Sequence, residues 1–262
     1  MHFHDINDQL SIEYSTDMEK PRAVLFDAYG TLFDVYSVSR LAEALFPGHG
    51  EALSLLWRDK QIEYTRLVTT SRRHGQPDTP DSDPPFYRPF GELTRAALVY
   101  AIKRIANNVQ LAPGNSDFDS RVDQLMAQYR QLDAFADARD VLTALKARGI
   151  PTGILSNGDP EMLGAAVRSA GLADLLNHVI SVDRVRHYKT HPEAYHLGVQ
   201  ATGLQPEHIV FVSSNSWDAL GATWYGYTTL WVNRAGLPFE ELGTQPTRTA
   251  STLGAVLDFF PA

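Results

Sequence analysis

The sequence contains no cysteine. Disulfides, thiolate metal sites and cysteine nucleophiles are thereby excluded, and any chemistry falls to oxygen and nitrogen side chains. Also missing is an uninterrupted run of about 18 apolar residues, the length a membrane-spanning helix needs. The opening MHFHDINDQLSIEYSTDMEK has no basic stretch leading into an apolar one, so it does not read as a secretory signal. Positive charge is scarce: 23 lysines and arginines against 31 acids leave a net charge of -8. That argues against nucleic acid as a partner, because such binding relies on basic stripes that neutralise phosphates. It says little about a small anionic ligand, which responds to the local field of a cleft. Internal repeats are absent. What remains is an ordinary globular chain of 262 residues, 44% hydrophobic and 21% charged, long enough to bury a sizeable core. A cytoplasmic location is the default expectation.

The stretch Ala23 to Asp34, AVLFDAYGTLFD, organises what is present. Four apolar residues bounded by turn residues read as a strand buried on both faces, with Asp27 at its carboxyl end. In open parallel sheets that edge borders the ligand crevice. Taken alone, Asp27 reads equally well as a turn cap.

Downstream, helical spacing covers Val35 to Phe46 and Glu51 to Val68; in the second, Leu53, Leu56, Trp57 and Tyr64 form the apolar stripe and Arg58 lies beside it. Thr69 to Pro89 is rich in proline and polar residues and reads as a long loop, either mobile or a lid. Helices return at Phe90 to Ala106 and Phe118 to Leu132. From there strand and helix alternate: helices at Ala138 to Arg148, Pro160 to Ala170, Pro192 to Thr202 and Trp217 to Tyr225, strands at Pro151 to Leu155, His178 to Val182, Ile209 to Val212 and Thr228 to Val232. Such alternation implies right-handed crossovers and a parallel sheet. The expected fold is a doubly wound, Rossmann-like α/β core of residues 21–34 and 133–262, interrupted by an all-helical cap at 35–132 and preceded by an extension at 1–20.

In a parallel sheet the strand ends share one crevice. Asp27 and Thr31, then Ser156 and Asn157, then Lys189, then Ser213, Ser214, Asn215 and Asp218 would all rim it. Singly, Ser156 reads as a helix cap and Lys189 as a solvated lysine. Two carboxylates and a lysine on one edge are harder to dismiss. His187, His191 and His196 have a spacing from which a metal site can be imagined, but with no acidic partners to orient them surface histidines are the simpler reading.

These residues carry a resemblance. FDAYGTLFDVYSV, LSNGDP, VRHYKTHPEAY and FVSSNSWDALGA resemble, in order, the four motifs of the haloacid dehalogenase-like hydrolase superfamily. Within it the chain resembles the L-2-haloacid dehalogenase (type II) family, and LWRDKQIEYT, with Arg58, resembles the cap segment that supplies that family's arginine. The likeness runs from about Arg22 to Phe260.

The resemblance implies hydrolysis of short (S)-2-haloalkanoates, with Asp27 as nucleophile, an ester intermediate, and no metal or other cofactor. Arg58 and Asn157 would receive the halide and Ser156 the substrate carboxylate. Lys189, Ser213, Asn215 and Asp218 would orient and deprotonate water. Thr31 and Tyr195 match supporting positions, and Tyr29, Ile62, Phe90 and Trp217 the apolar wall, although an aromatic at such a place is as often plain core. A carboxylate nucleophile splits one difficult displacement into two easier steps, and Lys189 nearby would favour its ionised form. Phosphatase relatives carry a second acid where this chain has Tyr29 and a metal-binding acid where it has Ser213. Halide leaves without needing a proton. The alternatives are a magnesium-dependent small-molecule phosphatase and a non-catalytic binding protein. A small haloacid is the implied partner; homodimers are common in the family, although no stripe here marks an interface. The chain departs from the family pattern in its extension, in its long 69–89 loop, and in having Thr190 after Lys189 with proline only at Pro192.

Overall fold

A computed structural model describes residues 20–75, 84–105 and 116–261. The expected N-terminal extension, apart from Lys20, and the middle of the 69–89 loop lie outside them. Six parallel strands form one sheet: β1 (Ala23–Phe26), β2 (Thr152–Ser156), β3 (His178–Ser181), β4 (Ile209–Ser213), β5 (Thr228–Val232) and β6 (Arg248–Ala250). Their order is β3-β2-β1-β4-β5-β6. The chain thus winds outward from β1 in one direction and then returns to wind outward in the other, so the crevice at the reversal opens beside β1.

Buried apolar runs explain the central strands. Every residue of β1, β2 and β4 is buried, as expected where helices cover both faces. Register aligns their ends, with Phe26 opposite both Ile154 and Val212. The residues that follow therefore emerge at one level. β6 has no counterpart in the sequence reading. It is three residues long and mostly exposed, and a short polar edge strand leaves no apolar signature.

Between β1 and the second half of the sheet run four helices: α1 (Ser39–Leu45), α2 (Gly50–Thr70), α3 (Phe90–Ile105) and α4 (Ser116–Tyr129). α1 begins later than Val35. Residues ahead of it are held in turns, where Asp34 accepts from the Tyr36 N–H and the Ser37 and Ser39 hydroxyls donate to backbone carbonyls; such local bonds compete with the helix ladder. α4 stops at Tyr129, three residues short of the expected end. On α2 the buried face is Leu53, Ser54, Trp57, Gln61, Thr65 and Thr69, while Leu56 and Tyr64 are half-buried. The stripe starts apolar and turns polar toward its C-terminal half. Trp57 fixes α2 to α3 by donating its indole N–H to the Thr94 carbonyl at 2.8 Å.

The remaining helices, α5 (Ala138–Ala147), α6 (Pro160–Ser169), α7 (Pro192–Thr202) and α8 (Ser216–Tyr225), cross over between strands. Asp159 caps α6 by accepting the Met162 N–H, with Pro160 at the first turn. No helix of the described residues is long and apolar enough to cross a membrane.

Candidate active site

Asp27 follows β1 directly. Its own N–H donates to the Val212 carbonyl at 2.8 Å, which continues the β1–β4 ladder one step and fixes where its side chain starts. The chain then turns tightly, the Ala28 carbonyl accepting from the N–H groups of Thr31, Leu32 and Phe33. Gly30 sits in this turn at φ +92°, a conformation that side-chain-bearing residues resist. The turn brings the Thr31 hydroxyl back to donate to Asp27 Oδ2 at 3.1 Å, while the same oxygen of Thr31 accepts the Ser214 N–H at 2.8 Å. Asn215 donates from Nδ2 to Asp27 Oδ2 at 2.8 Å and to the Tyr29 carbonyl at 3.0 Å. The turns after β1 and β4 are thus laced together around one carboxylate.

Lys189 enters from the loop after β3. Its ammonium lies 3.1 Å from Asp27 Oδ1 and 2.9 Å from Asp218 Oδ2, and only 1% of the residue is exposed. A buried ammonium requires such partners, since an unpaired one would lose its hydration without return. Its backbone N–H donates to Asn157 Oδ1 at 3.0 Å, which ties the loop after β2 to the loop after β3. Asp218, in the first turn of α8, is fully buried and also accepts the Tyr195 hydroxyl at 2.8 Å. Burial pushes the Asp218 carboxyl up, Lys189 pulls it down and the Asp27 charge raises it again, leaving it at about 6. Burial and the neighbouring Asp218 charge hold the Tyr195 phenol well above its ordinary range, so it stays a donor.

Arg58 reaches this cluster from α2. One terminal nitrogen donates to the Tyr29 carbonyl and to Asn215 Oδ1, each at 3.1 Å, and the other to Gln61 Oε1 at 2.7 Å. Asn215 therefore touches both the carboxylate and the guanidinium. A cavity of about 590 Å³ opens beside them, lined by Arg58, Ile62, Arg66, Asn215 and Trp217 among others. A larger cavity, about 720 Å³, lies away from this chemistry between α6, β3 and α7.

The other expected residues fall around this centre in different ways. Tyr29 and Phe90 are buried with ring centroids 5.5 Å apart, and Tyr129 stacks on Tyr29 at 5.6 Å. Gly158 allows this packing, because a Cβ there would meet the Tyr29 ring at 2.7 Å. Burial holds the Tyr29 phenol well above its ordinary range. The Ser156 and Ser213 hydroxyls turn inward to their own loops, accepting from the N–H groups of Gly158 and Asn215, each at 3.1 Å. The three histidines do not converge: His187 and His191 stack at 4.0 Å with His187 Nδ1 facing the Val185 carbonyl, while His196 stands apart and bonds the Tyr225 hydroxyl. Among the described residues no group of three histidine or acidic side chains is placed to hold a metal ion. Gln61 and Tyr129 were not among the expected site residues. The former stands three residues after Arg58, one turn along the same helix, and that spacing is the sequence signal that points to it.

The chain matches the haloacid dehalogenase-like hydrolase family over residues 21–226. It is 39% identical to the (S)-2-haloacid dehalogenase of Pseudomonas sp. strain YL, over 93% of this chain and 96% of that protein. The crystal structure of an L-2-haloacid dehalogenase at 48% identity superposes with a TM-score of 0.82, covering 93% of this chain and 100% of the other. The L-2-haloacid dehalogenase of Xanthobacter autotrophicus, solved with chloropropionic acid covalently bound, is 32% identical, with a TM-score of 0.77 over 92% of this chain and 100% of the other. Sequence, fold and strand-end chemistry agree, and the chain belongs to the haloacid dehalogenase-like hydrolases, within the family of the (S)-2-haloacid dehalogenases.

Proposed function

We propose that the protein hydrolyses short (S)-2-haloalkanoates to (R)-2-hydroxyalkanoates and halide, through an ester on Asp27 and without a metal ion. One observation carries the reading. A carboxylate held by Lys189, Thr31 and Asn215 faces a guanidinium brought by a separate helix, and Asn215 joins the two.

An Asp27 oxygen attacks C2 of the haloacid, and halide departs with the carbon–halogen electron pair as the centre inverts. Arg58 and Asn157 receive it, where a positive charge in a dry cleft is worth most. Ser156 and backbone N–H groups of its turn hold the substrate carboxylate. Water, oriented by Ser213 and Asn215, then adds to the ester carbonyl of Asp27 while Asp218 takes its proton. Burial raises the Asp218 carboxyl and Lys189 lowers it, which leaves a base that is ionised at neutral pH when that proton is taken. Collapse of the adduct releases the hydroxyacid and regenerates Asp27, leaving one proton and one halide per turnover. Ile62, Phe90, Trp217 and the Tyr29 ring wall the alkyl side.

Two positions weigh against phosphatase chemistry. The Tyr29 phenol, which burial holds well above its ordinary range, is a far poorer general acid than the carboxyl group the phosphatase relatives carry there. Ser213 offers a hydroxyl, already engaged, where a hard cation prefers a carboxylate. The deciding experiment is halide release from (S)-2-chloropropionate and chloroacetate with EDTA present, alongside a general phosphatase substrate. Chloride release indifferent to EDTA, without phosphate release, is expected. Magnesium-dependent phosphate release with no halide would overturn the reading.

A further inference from the structure

The guanidinium of Arg58 is held by a chain of neutral hydrogen bonds whose direction can be worked out from one end. The Phe90 carbonyl is only an acceptor, so the Thr94 hydroxyl, 2.7 Å away, spends its proton there. Thr94 Oγ1 can then only accept, and the side-chain group facing it at 2.6 Å is the Gln61 amide nitrogen. That assignment points Gln61 Oε1 the other way, where it accepts from Arg58 at 2.7 Å and from the Tyr129 hydroxyl at 3.2 Å. Gln61 and Thr94 are wholly buried and Tyr129 is 3% exposed, so water does not compete for these groups. The amide orientation is therefore fixed two residues away from the arginine it serves.

Two consequences follow for Arg58. Of its five N–H donors, three are taken by Gln61, Tyr29 and Asn215, and the Tyr129 hydroxyl lies against the same guanidinium. Anchored at both terminal nitrogens, the guanidinium plane cannot turn about its Nε bond without breaking one side. The anchor on the helix side is also uncharged. A carboxylate at this point would bind the guanidinium as a fork and cancel much of its field, whereas an amide oxygen holds the group and leaves its charge for the substrate.

We propose that Gln61 is a positioning residue for the dehalogenation, holding Arg58 in the plane that receives halide while keeping its charge unpaired, with its own amide oriented by Thr94. This inference rests on the proposed function.

The test uses Gln61→Glu, which keeps the shape and the acceptor toward Arg58 but adds the charge, and Thr94→Val, which removes the group that orients the amide. For the full-length protein kcat/KM is measured with 2-chloropropionate and 2-iodopropionate, because kcat/KM reports the displacement step, and melting temperature is followed in parallel. Chloride concentrates its charge more than iodide and leaves less readily, so it depends more on Arg58. The expected result for Gln61→Glu is a fall of about 100-fold on the chloro substrate and a clearly smaller fall on the iodo substrate. Thr94→Val follows in the same direction by about tenfold. A merely structural defect lowers both substrates equally, and that outcome overturns the proposal, as does wild-type kcat/KM in Thr94→Val. If Gln61→Glu fails to fold, the Thr94→Val substrate ratio decides alone. Failure of the wild-type protein to release halide would instead remove the proposed function itself.

Discussion

Replacing Asp218 by asparagine removes the base proposed for ester hydrolysis while leaving the groups around it in place. Lys189 and Tyr195 bond separate oxygens of the carboxylate, Oδ2 at 2.9 Å and Oδ1 at 2.8 Å. The amide oxygen can therefore keep Lys189 while the amide NH2 donates to the Tyr195 hydroxyl, which can turn its own proton to the Asp218 backbone carbonyl at 3.2 Å. Lys189 retains Asp27 at 3.1 Å. Displacement of halide needs only the ionised Asp27 and the Arg58 side, so the first step should change little. Hydrolysis should slow by about 10²- to 10⁴-fold, the usual worth of a positioned base. The two effects separate in a rapid-mixing assay. One equivalent of halide per active site appears at nearly the wild-type rate, further release almost stops, and the trapped protein gains the mass of one propionate unit on a peptide containing Asp27.

The pH dependence sharpens the test. Asp218 titrates at about 6 in the free protein partly because the Asp27 charge raises it. Once Asp27 is an ester that charge is gone, so the carboxyl of the intermediate titrates lower. The acid limb of wild-type kcat should therefore fall below pH 6, with rate lost as pH drops through the limb because the base is protonated. In Asp218→Asn this limb disappears. Equal slowing of the halide burst and of turnover, or an acid limb unchanged in the variant, would refute the assignment.

Other perturbations read different parts of the site. Asp27→Asn should retain the fold, as judged by circular dichroism and melting, and release no burst of halide at all; activity with deamidation excluded by mass spectrometry would end the covalent reading. Arg58→Lys keeps the charge but offers one compact head where the guanidinium spans Gln61, Tyr29 and Asn215, so kcat/KM for 2-chloropropionate should fall by about 10²- to 10³-fold. Asp137 tests stability away from the chemistry. It pairs with Arg234 at 2.9 and 3.1 Å and accepts the Leu253 N–H at 3.0 Å. Burial pushes its carboxyl up, but those bonds outweigh burial and leave it below its ordinary value of 3.8. A depressed acid stabilises above its unfolded pKa and loses that contribution as pH falls through the folded one. Asp137→Ala should thus cost about 2 kcal/mol in urea unfolding at pH 7, with the difference from wild type shrinking below about pH 4.

The residues legible in the sequence were those whose chemistry matches a position. AVLF is apolar throughout and buried throughout, so β1 and the place of Asp27 could be read directly. Lys189 and Asp218 stand far apart in the chain, yet reading strand ends put them on one edge, and their side chains do meet. β6 could not be read, because three mostly exposed residues carry neither alternation nor an apolar run. Gln61 was hidden for a different reason. The sequence marks the stripe on α2 by Leu53, Leu56, Trp57 and Tyr64; Leu53 and Trp57 are buried, but Leu56 and Tyr64 are only half-buried, and beyond Trp57 the inward face is Gln61, Thr65 and Thr69. Hydropathy patterning assigns polar residues outward, and a buried polar network inverts that rule.

The charges in the site suggest why an anion can enter a cleft already holding two carboxylates. Asp27 and Asp218 are offset by Lys189, lodged between them, and by Arg58 on the opposite side. With both acids ionised these four groups sum to zero. An incoming haloacid makes the set singly negative, and displacement moves that charge without changing the total: Asp27 becomes a neutral ester, while the substrate carboxylate and the new halide are both anions. Departure of halide is then the step that restores neutrality, so its loss is electrostatically downhill in a site shielded from water. Lys189 serves both halves of this cycle. It lies against Asp27 at 3.1 Å before attack, and after esterification its whole charge falls on Asp218, holding that carboxylate in the basic form when a proton must be taken from water.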